Sequence, residues 1–175
     1  MSGQGNRPTQ MMPGHRTGHP GGGQQKRFDA PRPQQSPHAP GAQVTVSYFD
    51  NGHIRERLFR HEAVDAAERL EGVDQTQIRR YFGAVEQLRR RMRSQEMAAE
   101  ELLAMLALIQ MRAIYSAARD QKNKPLAEFI ARHVKAIARE ADPVRAFGEG
   151  FFRHFEAVIG FHKALKAGLP VKELV

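Results

Sequence analysis

Apolar residues recur every three or four positions through most of residues 59–167, the spacing of side chains that share one face of a helix. Breaks in this pattern divide the stretch into five predicted helices, at about 59–70, 74–93, 95–120, 125–140 and 143–167. The connections between them are short, so neighbouring helices should run antiparallel and pack side by side. The chain is therefore predicted to fold as an all-α, compact antiparallel bundle of about five helices.

The third predicted helix is the element around which we expect the others to pack. Between Leu102 and Ala118 it is apolar on nearly every side. A helix with this pattern is normally surrounded by other helices. A membrane span is the rival interpretation, because a span needs roughly 20 largely uncharged residues. Glu100, Glu101 and Arg112 interrupt the run, so we expect a helix inside a bundle and no membrane association.

Polar and small residues mark where the predicted helices begin. Asp74 can cap the second helix, and Gln77, three positions later, can reach back to complete a capping box. Ser94 is placed to open the third helix, and Asp142-Pro143 is a suitable start for the fifth. The closely spaced glycines of Gly148-Glu149-Gly150 should weaken the first turns of that last helix.

Residues 44–58 carry a strand pattern instead. Val44, Val46 and Tyr48 alternate with polar residues, which indicates an extended segment with one buried face. Asp50-Asn51-Gly52 follows and strongly favours a tight turn. A lone hairpin is only marginally stable in water, so we expect this extended lead-in or short hairpin to lie against the bundle.

Composition separates an N-terminal tail from a folded domain. Residues 1–43 hold seven of the ten prolines and eight of the fifteen glycines, so we expect a disordered, Gly/Pro/Gln-rich basic tail before a domain at 44–175. The formal net charge is +8, of which the tail carries +4, and this excess favours an acidic partner. The absence of cysteine excludes disulfides and thiolate zinc sites, and no signal peptide is visible, so we expect a cytoplasmic protein.

Arginine is concentrated on the second predicted helix and at the end of the third. A run of charge often marks only a solvated face, but guanidinium groups bind phosphate bidentately and favour that function. Arg112, Tyr115 and Arg119 are spaced i, i+3 and i+7, so they share a face that can hold phosphates and stack a base. Against a single glutamate, Glu86, the outward positions of the second helix carry Arg79, Arg80, Arg89, Arg90, Arg91 and Arg93.

Candidate catalytic and metal-binding groups do not form a recognisable site. His133, His154 and His162 lack metal-ligand spacing, and there is no Gly-rich phosphate loop or Gly-x-Ser-x-Gly elbow. We therefore expect no enzymatic activity, no cofactor and no metal. One enzymatic alternative is a small helical enzyme of the chorismate-mutase type, which would need arginines that converge on a pocket between helices. The pattern here directs the arginines outward instead.

Three stretches in a fixed order carry a family resemblance: TQIRRYF at 76–82, MRAIYSAARD at 111–120 and FEAVIGFHK at 155–163. They are similar to the motifs T-x-Q-[IL]-R-x-[FIY], K-x-x-Y-x-x-[GA]-R-[DE] and F-E-A-[IV]-[IVL]-x-[YF]-H-[KR]. These motifs belong to the helical small subunit of type III-A CRISPR–Cas effector complexes, the Csm small subunit. The first motif is shortened here, and Arg112 stands where lysine is common. The resemblance covers roughly residues 48–168 and leaves the tail outside.

This resemblance implies a non-catalytic protein whose copies stack beside the guide-RNA-bearing backbone subunits of an antiviral complex. Its partners would be guide RNA and target RNA, the repeated backbone subunit, the large cyclase subunit and further copies of itself. It would hold the RNA duplex by its phosphates, while base pairing reads the sequence. A general helical RNA-binding adaptor outside antiviral defence is a further alternative. The residues expected to contact RNA are Arg79, Arg80, Arg90, Arg112, Arg119, Lys122, Lys124 and Arg132.

Overall fold

A computed structural model describes residues 46–175 and confirms the helical bundle with a small hairpin in front of it. Strands Phe49–Asp50 (β1) and His53–Ile54 (β2) pair antiparallel, with Phe49 opposite Ile54. Asn51 and Gly52 between them have φ values of 48° and 79°. Positive φ at both positions is what a two-residue type I′ turn requires, so the turn prediction is confirmed. Val44 and the tail predicted at 1–43 lie outside the described residues.

The helices begin and end within a few residues of the predicted bounds. In the described range they are α1 (His61–Arg69), α2 (Gln75–Ser94), α3 (Ala99–Arg119), α4 (Lys124–Ile137), α5 (Pro143–Arg145) and α6 (Phe152–Lys166). A π-helical segment, Ala146–Phe151, joins α5 to α6. The predicted fifth helix is therefore one helical run with an irregular start, where the two close glycines are. Short 3-10 turns occupy Glu56–Phe59, Gln121–Asn123 and Val171–Glu173.

Two of the predicted helix starts are confirmed, and two details are wrong. The Asp74 carboxylate accepts from the Thr76 amide at 2.7 Å, and the Asp142 carboxylate caps α5 in the same way. Gln77 does not complete a capping box, because its Oε1 is buried without a hydrogen-bond partner in the described range. Ser94 ends α2, and its hydroxyl donates to the Arg91 carbonyl rather than opening α3.

The last helical run, rather than α3, contributes the most deeply buried face. Phe147, Phe151 and Phe155 are fully buried, and Phe129 of α4 packs against the latter two. The hairpin closes this core, since the Tyr48 ring is also fully buried. Burial of several phenylalanines is the larger hydrophobic gain, because each removes far more apolar area from water than an alanine or leucine of α3 does.

The prediction that α3 lies at the centre of the bundle is wrong. α3 packs against α2 and α4 through an inner stripe that includes Leu102, Leu106, Ile109 and Ala113. Its opposite side is not covered within residues 46–175, and seven of the eight exposed positions between Ala104 and Ala118 are apolar. We refer to this side as the α3 apolar face: Ala104, Ala107, Leu108, Met111, Ile114, Tyr115 and Ala118.

The length and composition of α3 also meet the requirements of a membrane span, and it is the only helix of the described range that does so. Only 22% of its most apolar window is buried in the bundle. Because α3 has both an inner stripe and the α3 apolar face, it reads as apolar all round in the sequence. One such helix is weak evidence for a span, since helices of soluble bundles reach the same hydropathy.

Candidate functional site

A cleft of about 550 Å³ lies between the start of α2 and the end of α3. It brings together three of the predicted RNA contacts, Arg80, Arg112 and Arg119, and it also includes Tyr115. The shared face predicted from the i, i+3, i+7 spacing is therefore present at one site. We call this site the arginine cleft; it is lined by Gln77, Arg80, Tyr81, Met111, Arg112, Tyr115, Ser116, Arg119, Asp120 and Asn123.

Two hydrogen bonds hold the walls of the arginine cleft in place. The Tyr81 hydroxyl of α2 donates to the backbone carbonyl of Arg112 at 2.8 Å, which ties α2 to α3 beside that guanidinium. At the floor, the Asn123 side-chain amide donates to the Ser116 hydroxyl at 3.1 Å. The Tyr81 and Asn123 side chains that donate these bonds are both buried, and a satisfied buried polar group fixes one local arrangement of the chain. These bonds link α2 to α3, and α3 to the turn that follows it, beside the cleft arginines.

The guanidinium groups of the arginine cleft have no acidic partner. Among the described residues, Arg80, Arg112 and Arg119 form no ion pair, although Arg119 lies 6.0 Å from the Tyr115 ring centroid. Three like charges around one cleft repel each other, and binding an anion would relieve that repulsion. Elsewhere in the same range, seven basic side chains do pair with a glutamate: Arg55, Arg60, Arg90, Arg91, Lys124, Arg145 and Lys172.

A second cleft, of about 490 Å³, adjoins the first and shares Gln77, Asp120 and Asn123 with it. It adds Lys122 and Lys166, so we call it the lysine cleft. The basic surface therefore continues from the three arginines to two lysines. Lys166 was not predicted, because it comes from the end of α6 and only the tertiary fold places it beside α2.

The acidic residues that line these clefts serve mainly as helix caps. Asp120 accepts from the Lys122 amide at 3.0 Å, and Asp74 accepts from the Thr76 amide. The hydrogen bonds from Thr76 lower the pKa of the Asp74 carboxyl below its ordinary value, so it stays ionised as a cap. Two carboxylates against five basic side chains leave the combined surface positively charged.

Several predicted contacts lie outside both clefts. Arg90 forms an ion pair with Glu86 at 2.8 Å, and Lys124 forms one with Glu128 at 3.9 Å. Arg79 is exposed on α2 but does not line either cleft. The arginine run of α2 is thus divided among different roles rather than forming one surface.

Arg89, from the same run, is used in packing. Its guanidinium lies 3.9 Å from the centroid of the Phe152 ring, an arrangement favourable for a cation–π contact. Burial lowers the pKa of Arg89 below its ordinary value. The outward orientation predicted for this residue is therefore wrong, because the turn of α2 directs it towards α6.

Arg132 lies in a different cavity, of about 240 Å³, together with Arg69, His133 and His154. Its Nε is buried without a partner in the described range, and burial together with Arg69 lowers its pKa. The structure thus separates Arg132 from the three cleft arginines, with which the prediction had grouped it.

The histidines serve the core, and in the described residues no group of three or more His, Cys, Asp or Glu side chains has metal-ligand placement. Tyr48 Oη and His133 Nδ1 are 2.9 Å apart, and His154 Nδ1 is 2.6 Å from the Leu58 carbonyl. His162 Nε2 is 3.1 Å from the Leu70 carbonyl, as expected for a packed histidine. The rings of His133 and His154 approach to 4.9 Å, a pairing that their spacing in the sequence did not predict.

The sequence did not predict three further residues that line the arginine cleft. Tyr81 was assigned no role of its own, and Met111 was expected to be a core residue of a central helix. Gln77 read as a cap, whereas its side chain lies where the two clefts meet. The signal that could have found them is their position within the first two resemblance motifs, since TQIRRYF and MRAIYSAARD supply opposite walls of the arginine cleft.

Comparison with known proteins gives one match. A family model described as Csm2 Type III-A matches residues 55–167, which is more than half of the chain. No curated protein matches the chain. No solved structure matches it either. The matched stretch begins just after the hairpin and includes both walls of the arginine cleft.

Proposed function

Because the chain belongs to the Csm2 family, the small subunits of type III-A CRISPR–Cas effector complexes, we propose that it is a non-catalytic subunit that holds RNA in its arginine cleft. Membership of the family makes the other Csm subunits its partners. The RNA would be the guide–target duplex, chiefly its target strand, bound in the cytoplasm as part of antiviral defence. The repeated backbone subunit and the large cyclase subunit would carry the guide and the chemistry.

One observation carries this proposal: three guanidinium groups from α2 and α3 converge on the arginine cleft, and none of them forms an ion pair with another described residue. An unpaired cluster of arginines is suited to phosphate, which accepts two parallel hydrogen bonds from one guanidinium. The lysine cleft extends the same charge, as a ligand with several phosphates in a row requires. Such contacts position an RNA backbone without reading its sequence.

Removing the two α3 arginines tests this proposal directly. In the co-expressed complex, Arg112→Ala combined with Arg119→Ala should weaken target-RNA binding by about 10- to 100-fold, because charge-assisted hydrogen bonds to phosphate are lost. The log–log salt dependence should also become shallower by about 0.7 for each lost contact. Filter binding over a salt series measures both quantities, and circular dichroism checks that the bundle remains folded.

The matched control also removes two positive charges, but from residues outside both clefts. Arg57 and Arg153 are exposed and line neither cleft, so Arg57→Ala combined with Arg153→Ala should leave affinity close to that of the wild type. Equal losses in both double variants would point to net charge alone. An unchanged affinity in the Arg112/Arg119 variant would exclude these two residues from the RNA site.

We further propose that several copies stack in the complex, with the α3 apolar face as one contact surface between them. Leu108 and Ile114 are 46% and 51% exposed, a high exposure for large apolar side chains on the same helix face. Exposed apolar patches on soluble proteins commonly mark interaction sites. Repeated stacking requires a heterologous contact, in which one face meets a different face of the next copy.

Charged substitutions on this face should reduce stacking. Leu108→Glu combined with Ile114→Glu should lower the number of copies per complex, because a buried, unpaired carboxylate costs several kcal/mol. Native mass spectrometry of the co-expressed complex gives the copy number. Leu169→Glu is the control, since Leu169 is 50% exposed and lies beyond α6 rather than on α3. If the double variant has the same number of copies per complex as the wild type, the α3 apolar face is not a contact between copies.

The chorismate-mutase alternative predicted arginines in a pocket between helices, and the arginine cleft does bring three of them together. Arg80, Arg112 and Arg119 are exposed, however, so the cleft lacks the enclosure that a small substrate needs. The family match favours a structural subunit as well. A helical RNA-binding adaptor outside antiviral defence would use the same cleft but would not copurify with other Csm subunits.

A further inference from the structure

Tyr115 is the most exposed aromatic residue of the arginine cleft. Its side chain is 65% exposed, and the neighbouring Met111 is 58% exposed. The Tyr115 hydroxyl forms no hydrogen bond with any other described residue. Most of this aromatic ring therefore keeps its apolar surface in water instead of in the core of the bundle. The ring is therefore available to a ligand in the cleft.

The basic groups next to this ring are placed along the same face of α3. Arg112 precedes Tyr115 by three residues and Arg119 follows it by four, so the two arginines are about 10 Å apart along the helix axis. Arg119 also lies 6.0 Å from the ring centroid, and both side chains line the arginine cleft. A ring between two phosphate-binding groups matches a nucleotide, which carries a base between two phosphates.

We propose that Tyr115 is a stacking platform for an unpaired nucleobase, with Arg112 and Arg119 on the phosphates that flank it. This inference rests on the proposed function and adds to it the class of ligand. In a continuous A-form duplex each base is stacked between its neighbours, so its faces are not available to a side chain. The nucleotide bound in the arginine cleft is therefore one displaced from the stack of the guide–target duplex or lying in a single-stranded stretch, whichever base it carries, because every base has a π face.

Two RNAs that differ only in their bases test the stacking contact. The full-length chain is titrated with a 12-nucleotide oligouridine and with an abasic ribose-phosphate 12-mer of the same charge, each labelled for fluorescence anisotropy. The wild type should bind the oligouridine about 5- to 100-fold more tightly, the range produced by base–aromatic stacking. Tyr115→Ala should erase this preference without weakening the binding of the abasic strand. Tyr115→Phe should keep the preference, because the ring remains.

A salt series separates the stacking contact from the phosphate contacts. Arg119→Ala should make the log–log salt slope shallower by about 0.7 with either strand, whereas Tyr115→Ala should leave the slope unchanged. Leu169→Ala is the matched control: Leu169 is 50% exposed but lies beyond α6 and lines neither cleft, so its variant should retain the base preference.

The outcomes distinguish failure of this inference from failure of the proposed function. A base preference that survives Tyr115→Ala, or a wild type that binds both strands equally, overturns stacking and leaves phosphate binding in place. Loss of the preference in Leu169→Ala as well would show that removing exposed apolar surface anywhere has this effect, and it would also overturn the role of Tyr115. Abasic binding that is unaffected by Arg112→Ala with Arg119→Ala would overturn the phosphate site itself. Wild-type protein that binds neither strand at low salt would overturn both.

Discussion

Gly150→Ala should lower the free energy of unfolding by about 3 kcal/mol, the upper end of the cost of overpacking a core. A Cβ placed at this position would lie 2.5 Å from Cδ1, 2.7 Å from Cγ and 3.0 Å from Cβ of Tyr48. Real side-chain carbons do not approach this closely, so either the hairpin or the π-helical segment would have to move. Gly150 is therefore required by the close approach of the hairpin to the last helical run.

Tyr48 has little freedom to move away from a new methyl group. Its ring is fully buried, and its hydroxyl lies 2.9 Å from His133 Nδ1, so a shift would break a buried hydrogen bond. Neither Gly150 nor Tyr48 lines the arginine cleft. Gly150→Ala should therefore lower stability while the variant still binds RNA at temperatures where it remains folded.

The control for this prediction is Gly160→Ala. Gly160 lies within α6, and nothing is within 4 Å of a Cβ built there. Alanine is favoured over glycine by roughly 0.5–1 kcal/mol in a helix interior, so this variant should be more stable than the wild type. Urea denaturation followed by circular dichroism measures both changes. Equal stability of the Gly150→Ala variant and the wild type would contradict the close approach.

Acid should destabilise the bundle through its buried histidines, well above the pH at which carboxylates titrate. Burial lowers the pKa of His133 well below its ordinary value, and burial also lowers the pKa of His154. Each imidazole is therefore neutral in the folded chain at a pH where the unfolded chain, with a pKa of about 6.5, is already protonated. The unfolded state binds more protons in this window, so stability is complete above about pH 6.5 and falls as the pH decreases towards the folded-state pKa values.

The size of this effect follows from the linkage relation. Each histidine can contribute up to about 1.4 kcal/mol per pH unit, so the two together can lower the free energy of unfolding by up to about 3 kcal/mol at pH 5.5. Urea denaturation at pH 7.5 and 5.5 measures the loss. The exposed His61 provides the control. Between pH 7.5 and 5.5, the His61→Gln variant should lose as much stability as the wild type loses. A stability that is constant between these pH values would contradict neutral buried histidines.

Much of the fold was predictable because it depends on short stretches of chain. The periodicity of apolar residues predicted the helices to within a few residues, apart from the start of α3. The turn at Asn51-Gly52 and the caps at Asp74 and Asp142 were also predicted correctly, since each is determined by residues in direct succession. The common face of Arg112 and Arg119 belongs to the same class, because helical geometry alone places them together.

The errors concern contacts between distant segments. α3 was expected at the centre because periodicity counts apolar positions but does not show which of them a neighbouring helix covers. Met97, which is buried, anchors the connection before α3. The chain can therefore leave α2 after Ser94 and start α3 only at Ala99. Gln77 was expected to bond its own helix end, yet it lies where the arginine and lysine clefts meet.

By itself, then, the sequence determined the helices, their caps, the hairpin turn and the i, i+3, i+7 arrangement of Arg112, Tyr115 and Arg119, because backbone geometry over a few residues decides all of these. The tertiary structure alone decided which helix is buried, which arginines are paired, and which residues from α2, α3 and α6 meet at the clefts. The core forms around the phenylalanines of the last helical run, since burying them removes the most apolar area from water. That packing leaves the α3 apolar face exposed, Tyr115 included, which no local pattern could show.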